Sequence, residues 1–224
     1  MSGDPVISLV DVTKVCHMPA EDVVALDHVS LDIGRGDFIA IMGPSGSGKS
    51  TLLNQIGCLD RPTGGDVLIN GRSIREMSDN DLTDLRRDTI GYIFQTFNLI
   101  PLLTAFENVE YPLVLRHKVR ASREKILGLL GRVGIDGALA NHTPGELSGG
   151  QQQRVAIARA LVNDPDIILC DAPTGNLDSK TGTQIMEMLR TLNEKGKTII
   201  MVTHDTRVAG YAQKTITIRD GKIA

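Results

Sequence analysis

The chain has 224 residues, 41% of them hydrophobic and 23% charged, and 27 acidic against 24 basic side chains leave it at −3. A globular chain this long buries roughly 70% of the surface its unfolded form exposes, so it needs no disulfide or metal staples. With no basic excess, 3% aromatics and no tryptophan, neither a charged track nor a stacking platform for nucleic acid is present. The longest apolar run is five residues, Phe38 to Met42, against the roughly 20 of a membrane span.

In chain order, Met1-Ser-Gly-Asp-Pro5 carries neither the basic nor the apolar region of a signal peptide. Ile7 to Val12 is apolar and β-branched, and Val29-Ser-Leu-Asp-Ile33 alternates with period two, as an antiparallel strand with one wet face does. Gly34-Arg-Gly36 turns the chain into Phe38–Met42, whose unbroken apolarity suits a strand buried on both faces of a parallel sheet. Next comes Gly43-Pro44-Ser45-Gly46-Ser47-Gly48-Lys49-Ser50, a full match to GxxxxGK[ST], and a helix is predicted from Thr51 to Gly57. Glycines let successive backbone N–H groups curl round phosphate oxygens, Lys49 supplies a point charge and Ser50 a hard oxygen for Mg²⁺. A plain glycine turn before a helix explains the glycines but not the Lys-Ser pair. Asp66 to Gly71 reads as another antiparallel strand ending in an Asn-Gly turn, and Ile90–Phe94 as a further strand.

Residues 104–116 and 121–134 have helical spacing, separated by the basic run Arg116-His-Lys-Val-Arg120, which reads as solvated surface. Leu147-Ser148-Gly149-Gly150-Gln151 opens a helix that stops at Asp164-Pro165, where proline forbids continuation. Ser148 can cap that helix or donate to an anion, and the two glycines expose amides, so this is a second phosphate-shaped feature. Ile167-Ile-Leu-Cys-Asp171 is a buried strand ending in a carboxylate. Set beside the first buried strand, it would bring Asp171 close to Ser50, where it can hold Mg²⁺. Ser179–Glu194 places Ile185, Met188, Leu189 and Leu192 on one face, and Met186 and Met188 read as packing. Thr198–Val202 is the third buried run and leads to His204, and a strand over Thr215–Arg219 is followed by the Asp220-Gly221 turn. Cys16, Cys58 and Cys170 are scattered and read as reduced thiols of a cytoplasmic protein. Buried strands alternating with helices predict an α/β fold with a parallel core. It forms a single domain over 1–224, with about 96–163 inserted as a helical subdomain and about 1–95 and 164–224 forming the rest.

The glycine loop, Gln95 after its strand, Leu147–Gln151, Asp171, Asn176-Leu177-Asp178 and His204 stand in an order that resembles the nucleotide-binding subunit of ABC transporters over nearly the whole chain. Ile56-Gly-Cys-Leu-Asp-Arg-Pro-Thr63 and the run from Phe94 to Asn108 are similar to the lipoprotein-release and macrolide-export branch (LolD/MacB-like). The resemblance implies a P-loop NTPase (RecA-like) core with an N-terminal antiparallel β subdomain and an inserted helical one. It implies an ATPase using ATP and Mg²⁺, with ATP on residues Gly43 to Thr51 and the metal on Ser50, Gln95 and Asp171. Gln95 would sense Mg²⁺ and the γ-phosphate and couple the site to the helical subdomain and a permease, and His204 would meet the γ-phosphate and position water. Leu147, Ser148, Gly149, Gly150 and Gln151 would face the ATP of a second copy, with Asp178 communicating across the dimer. Further implications are a separate transmembrane permease, no nucleic acid, and a cytoplasmic place on the inner face of the membrane. Cargo would be exported or extracted from the membrane. A relative acting on DNA or ribosomes would usually carry a long coiled-coil insertion or a second ATPase unit, and neither is in this sequence.

Two positions depart from the family pattern. Where the family has a glutamate after Asp171, the run reads Asp171-Ala172-Pro173-Thr174, and a methyl group accepts no proton. The expectation is a chain that binds MgATP and hydrolyses it poorly. Either it carries a trapping substitution in an otherwise complete site, which the intact remainder favours, or it is a natural non-hydrolysing, ATP-gated subunit. The aromatic ring that stacks on adenine is replaced by Cys16, with His17 the alternative contact.

Overall fold

The computed structural model describes residues 4–17, 21–117 and 122–224; residues 118–120 of the basic run lie outside them. Two sheets organise the chain. The first has the order β2-β1-β4-β5 and is antiparallel throughout, built from β1 (Ile7–His17), β2 (Asp22–Ile33), β4 (Gly64–Ile69) and β5 (Arg72–Ser73). The second comprises β3 (Phe38–Met42), β6 (Ile90–Ile93), β7 (Ile167–Asp171), β8 (Thr198–Val202), β9 (Lys214–Arg219) and β10 (Lys222–Ile223), in the order β10-β9-β3-β8-β7-β6. It is parallel except at the terminal β9–β10 hairpin.

The unbroken apolar runs have a direct physical reason. Successive strand residues point to opposite faces, and here both faces are covered. Ile39, Ile41, Ile167, Leu169 and Ile200 join a core shared with the antiparallel sheet and with α1 (Lys49–Ile56) and α2 (Asp79–Thr89). Their neighbours Phe38, Ala40, Ile168, Cys170, Ile199 and Met201 join a second core on the other face. That core is covered by α3 (Ala105–His117), α4 (Arg123–Arg132), α5 (Gly149–Leu161) and α6 (Ser179–Glu194). A short α7 (Thr206–Ala209) follows β8. Among the described residues from 96 to 163 there is no strand, only α3 to α5 and two single 3-10 turns. No helix among the described residues is long and apolar enough to cross a membrane. The three cysteines are free thiols, with Cys58 and Cys170 buried.

Several elements differ from the sequence expectation. β8 lies between β3 and β7, so the strand ending in Asp171 is one place removed from the strand before the glycine loop. The register nevertheless sets Ile41 and Asp171 level, because both pair with Val202. β1 and β2 run well past the apolar segments that mark them. Their outer halves are a bulged, largely exposed ribbon with Asp11 and His28 both at φ 53°, and an exposed ribbon has no need of alternation. α2 went unread because it buries only Leu82 and Leu85. Its real signal is local: Ser78 and Asp81 form a reciprocal capping box, worth about 1 kcal/mol. α1 starts at Lys49, two residues before the predicted Thr51, because the loop itself forms the first turn.

At Gly91 in β6 a Cβ would sit 2.6 Å from the Ala160 carbonyl oxygen and 3.0 Å from Pro165 Cγ, so this close approach welds β6 to the end of α5. Gly91→Ala is expected to lower unfolding stability by about 1–3 kcal/mol. Gly128→Ala, in α4 with nothing within 4 Å, should raise it by roughly 0.5–1 kcal/mol. Equilibrium urea unfolding of the two variants checks both signs.

Candidate nucleotide site

The glycine loop leaves a helix end open. Gly48 occupies the N-cap of α1 at φ 102°, and no side chain caps it, so the amides of the first turn keep their donors free and the helix dipole adds partial positive charge. The loop is held from two sides. At Gly48 a Cβ would collide with the Ala25 carbonyl oxygen of β2, and at Gly43 with the Ile218 carbonyl oxygen of β9. The Gly221 amide then donates to the Ser47 carbonyl at 3.1 Å, and the Asp27 amide donates to the Gly221 carbonyl at 2.9 Å. Lys49 Nζ donates to the Pro44 carbonyl at 2.6 Å, folding the ammonium back over the loop. Pro44, Ser45, Gly46 and Ser50 are exposed, Lys49 and Thr51 half-buried, and the buried Ser47 hydroxyl has no partner.

Asp171 ends β7, half-buried. Burial pushes its carboxyl above the ordinary carboxylate value, and the nearby Lys49 ammonium opposes that shift. An open helix end rich in donors, an orphaned hydroxyl, an ammonium and a carboxylate together fit a polyphosphate with a hard divalent cation. Tyr92 is a member that sequence reading missed. Its hydroxyl donates to the Leu53 carbonyl of α1 at 3.0 Å, its ring stacks on Phe94 at 4.8 Å, and burial followed by the charge of Asp171 pushes its phenol up. Only the short spacing from Gln95 could have singled it out.

The loop after β7 carries the next group. Ala172 stands at φ 44°, a left-handed conformation that costs a residue with a Cβ about 1 kcal/mol or more. It is pinned from both sides, its amide donating to the Val202 carbonyl at 3.0 Å and its carbonyl accepting from the Gly175 amide at 3.0 Å. Gln95 Nε2 donates to Asn176 Oδ1 at 3.3 Å and Asn176 Nδ2 returns a bond to the Gln95 carbonyl at 3.0 Å. Asn176 thus latches Gln95 to the loop of Ala172. His204, exposed, follows Thr203, whose amide bonds the Ile41 carbonyl at 3.2 Å. The carboxyl ends of β6, β7 and β8 therefore carry Gln95, Asp171 with Ala172, and His204 on the rim where the loop leaves β3.

The second phosphate-shaped feature has a different set of neighbours. Ser148 caps α5, its Oγ accepting from the Gln151 amide at 3.3 Å while its own amide donates to Gln151 Oε1 at 2.8 Å. Within the chain Ser148 and Gln151 therefore do the capping work that was one of the two readings. Leu147 is buried; Gly149 lies beside Phe97 and Leu177, and at Gly150 a Cβ would come within 2.5 Å of Thr181 Cγ2. Asp178 caps α6, accepting from the Lys180 and Thr181 amides at 3.0 Å, and the hydrogen bond from Thr181 holds its carboxyl below the usual range. The feature faces the 172–178 loop and α6, whereas the glycine loop is walled by β2, β9 and β10.

Cys16 is half-exposed and pairs with Val23 across the β1–β2 ribbon. Lys14, two residues earlier, pairs with Leu26, which touches the Gly48 position. His17 Nδ1 lies 2.7 Å from the Asp22 carboxylate, so it is engaged on the ribbon rather than turned toward the loop.

Comparison with known proteins identifies the family. The profile of the family described as ABC transporter matches residues 26–175. An ABC transporter ATP-binding protein of Methanocaldococcus jannaschii, MJ0796, is 53% identical, the match covering 97% of this chain and 94% of that protein. A macrolide export ATP-binding/permease protein of Hyphomonas neptunium is 51% identical over 98% of this chain. There the match takes up only 34% of the relative, so the chain spans about a third of that protein's length. The solved dimer of MJ0796 in a post-hydrolysis state with ADP and Pi superposes with a TM-score of 0.90, covering 97% of this chain and 96% of that one.

Because the folded state raises the Asp171 carboxyl above its ordinary 3.8, it binds that proton more tightly than the unfolded state does. The stability this contributes is fully present below 3.8 and is lost as pH rises through the raised value. Asp171→Asn is therefore expected to raise the Tm of the nucleotide-free protein at pH 7, with the gain over the parent shrinking toward acid pH, while it weakens ATP binding in the presence of Mg²⁺. Thermal melts from pH 3 to 8 and a nucleotide titration check the pair of effects.

Proposed function

The chain belongs to the ABC transporter family of ATP-binding proteins, and from that footing we propose that it is the motor subunit of an exporter-type transporter, pairing with a second copy around ATP and driving a separate permease. The observation that carries the pairing is the separation of the two phosphate-shaped features: loop and signature have different walls in one chain. The dimer that the MJ0796 cassette forms with ADP and Pi supports the same reading. Residues Leu147 to Gln151 and Asp178 of one copy would then complete the site of the other.

The reaction assigned to the site is attack of water on the γ-phosphorus of ATP, in which positioning and electrostatics do most of the work. The amides at the start of α1 and Lys49 meet charge on the phosphates. Ser50 and Asp171, with Gln95 alongside, would hold Mg²⁺, which supplies further charge neutralisation there. Gln95 and His204 orient the γ-phosphate and the water. Ala172 offers no proton acceptor, and loss of a general base costs about 10²- to 10⁴-fold in rate, while every phosphate-binding group remains. The pinned left-handed backbone at Ala172 supports the assignment of this position to chemistry, since strain of this kind concentrates where a side chain must be aimed. The chain thus binds ATP well, turns it over slowly and accumulates as the ATP-bound dimer. Adenine rests on the β1–β2 ribbon near Cys16.

A groove of about 580 Å³ supports a permease. It is lined by Leu59, Tyr92, Phe94, Leu115 and Arg159 among others, with Leu59 and Leu115 about half exposed, and it adjoins the strand that ends at Gln95. The motor would sit on the inner face of the membrane through that contact. The macrolide-export relatives carry a permease in the same polypeptide, which favours export of lipophilic cargo.

A second reading, a subunit gated by ATP that never hydrolyses it, rests on Ala172 alone. Steady-state phosphate release from MgATP separates the two when the parent is compared with Ala172→Glu. The motor reading expects the glutamate to raise turnover at least 100-fold; no gain with ATP binding intact would leave the non-hydrolysing subunit.

A further inference from the structure

At the end of the parallel sheet away from the glycine loop, α4 and α6 both pack on α5 and leave a cleft of about 750 Å³ between them. That volume lies in the range of small-molecule sites. Its floor is apolar: Leu129 of α4, Leu161 at the end of α5, and Met188 and Leu192 of α6, all only half-buried. Met186 is buried in the core as its spacing predicts; Met188 packs against the same core but stays partly exposed, and it presents a polarisable thioether to this space.

The rim carries an excess of unpaired positive charge. Of its acids, Asp164 is matched by Lys197 at 2.6 Å and Glu187 by Arg190 at 2.5 Å. The side chains of Arg132 and Lys195 on the rim, and of Lys125 where the cleft continues along α4, have no ion-pair or hydrogen-bond partner among the described residues. Glu124 is the one acid left uncompensated. Three free cations thus stand over an apolar floor in a protein of net charge −3.

We propose that this cleft is a binding site for a single-chain amphipathic anion, an acyl carboxylate whose chain lies on Leu129, Leu161, Met188 and Leu192 and whose head group meets Arg132 and Lys195. Apolar burial supplies affinity, and the unpaired cations supply the sign of the head group. The site is independent of the nucleotide site and of the Leu59–Leu115 groove. Its occupant would bridge α4 and α6 across the end of α5, the helix whose other end begins at Gly149.

The full chain with ¹³C-labelled methionine methyl groups, titrated with dodecanoate below its micellar concentration, tests this by NMR. The Met188 methyl signal should shift saturably while those of the buried Met186 and Met201 stay in place. Arg132→Glu/Lys195→Glu, which changes two exposed positions, should weaken the apparent affinity at least tenfold. Uncharged dodecyl maltoside should shift Met188 far less. Absence of a saturable Met188 shift, an equal shift with the maltoside, or an unchanged affinity in the charge-reversed variant would each overturn the assignment.

Discussion

A helix start whose first-turn amides stay uncapped, behind a loop gripped by two sheets, organises this structure: Gly48 stands at the N-cap of α1 with no side-chain cap. Residues 43–48 lie between the two sheets, against the carbonyls of Ala25 in β2 and Ile218 in β9. They are tied down through Gly221, which bonds both Ser47 and Asp27. A loop with free donors would otherwise collapse onto water or its own carbonyls. Here it is held open because the antiparallel sheet and the β9–β10 hairpin grip it from outside its own ladder of hydrogen bonds. The antiparallel layer thus does two things, covering one face of the parallel core and gripping the loop.

The same logic extends along the rim. Ala172 is locked in a left-handed turn by Val202 and Gly175, Gln95 is latched to Asn176, and Tyr92 reaches across to the Leu53 carbonyl of α1. The left-handed Ala172 and the uncapped start of α1 both lie at this end of the sheet, and the two apolar cores beneath supply the stability that tolerates them. The backbone at Ala172 is fixed by main-chain bonds rather than by its side chain.

Within a chain, the signature residues have ordinary structural work as well. Ser148 and Gln151 close a capping box, and Gly150 admits Thr181 so that α5 and α6 approach. These tasks do not compete with a role toward a second copy. A cap consumes the Ser148 amide and one lone pair of its hydroxyl, and the close approach of α6 braces the helix end. The Asn176–Leu177 segment, touching both Gln95 and Gly149, is the physical seam between the rim of the sheet and the start of α5.

The glycine-loop motif, the family it points to and the parallel core are legible in the sequence alone. Those signals are short and local: a glycine pattern followed by Lys49-Ser50, unbroken apolar runs, and carboxylate or amide residues just after them. The sequence could not decide that β8 stands between β3 and β7, because strand order is set by which crossover packs first on which face and leaves no mark in any one segment. Nor could it reveal α2, whose exposed face carries little apolar periodicity, or the outer ribbon of β1 and β2, which buries too little to need a pattern. Tyr92, the latch of Asn176 on Gln95 and the unpaired cations over Met188 emerged only in three dimensions. Their meaning lies in partners far away in the chain, and a linear sequence specifies those contacts without displaying them.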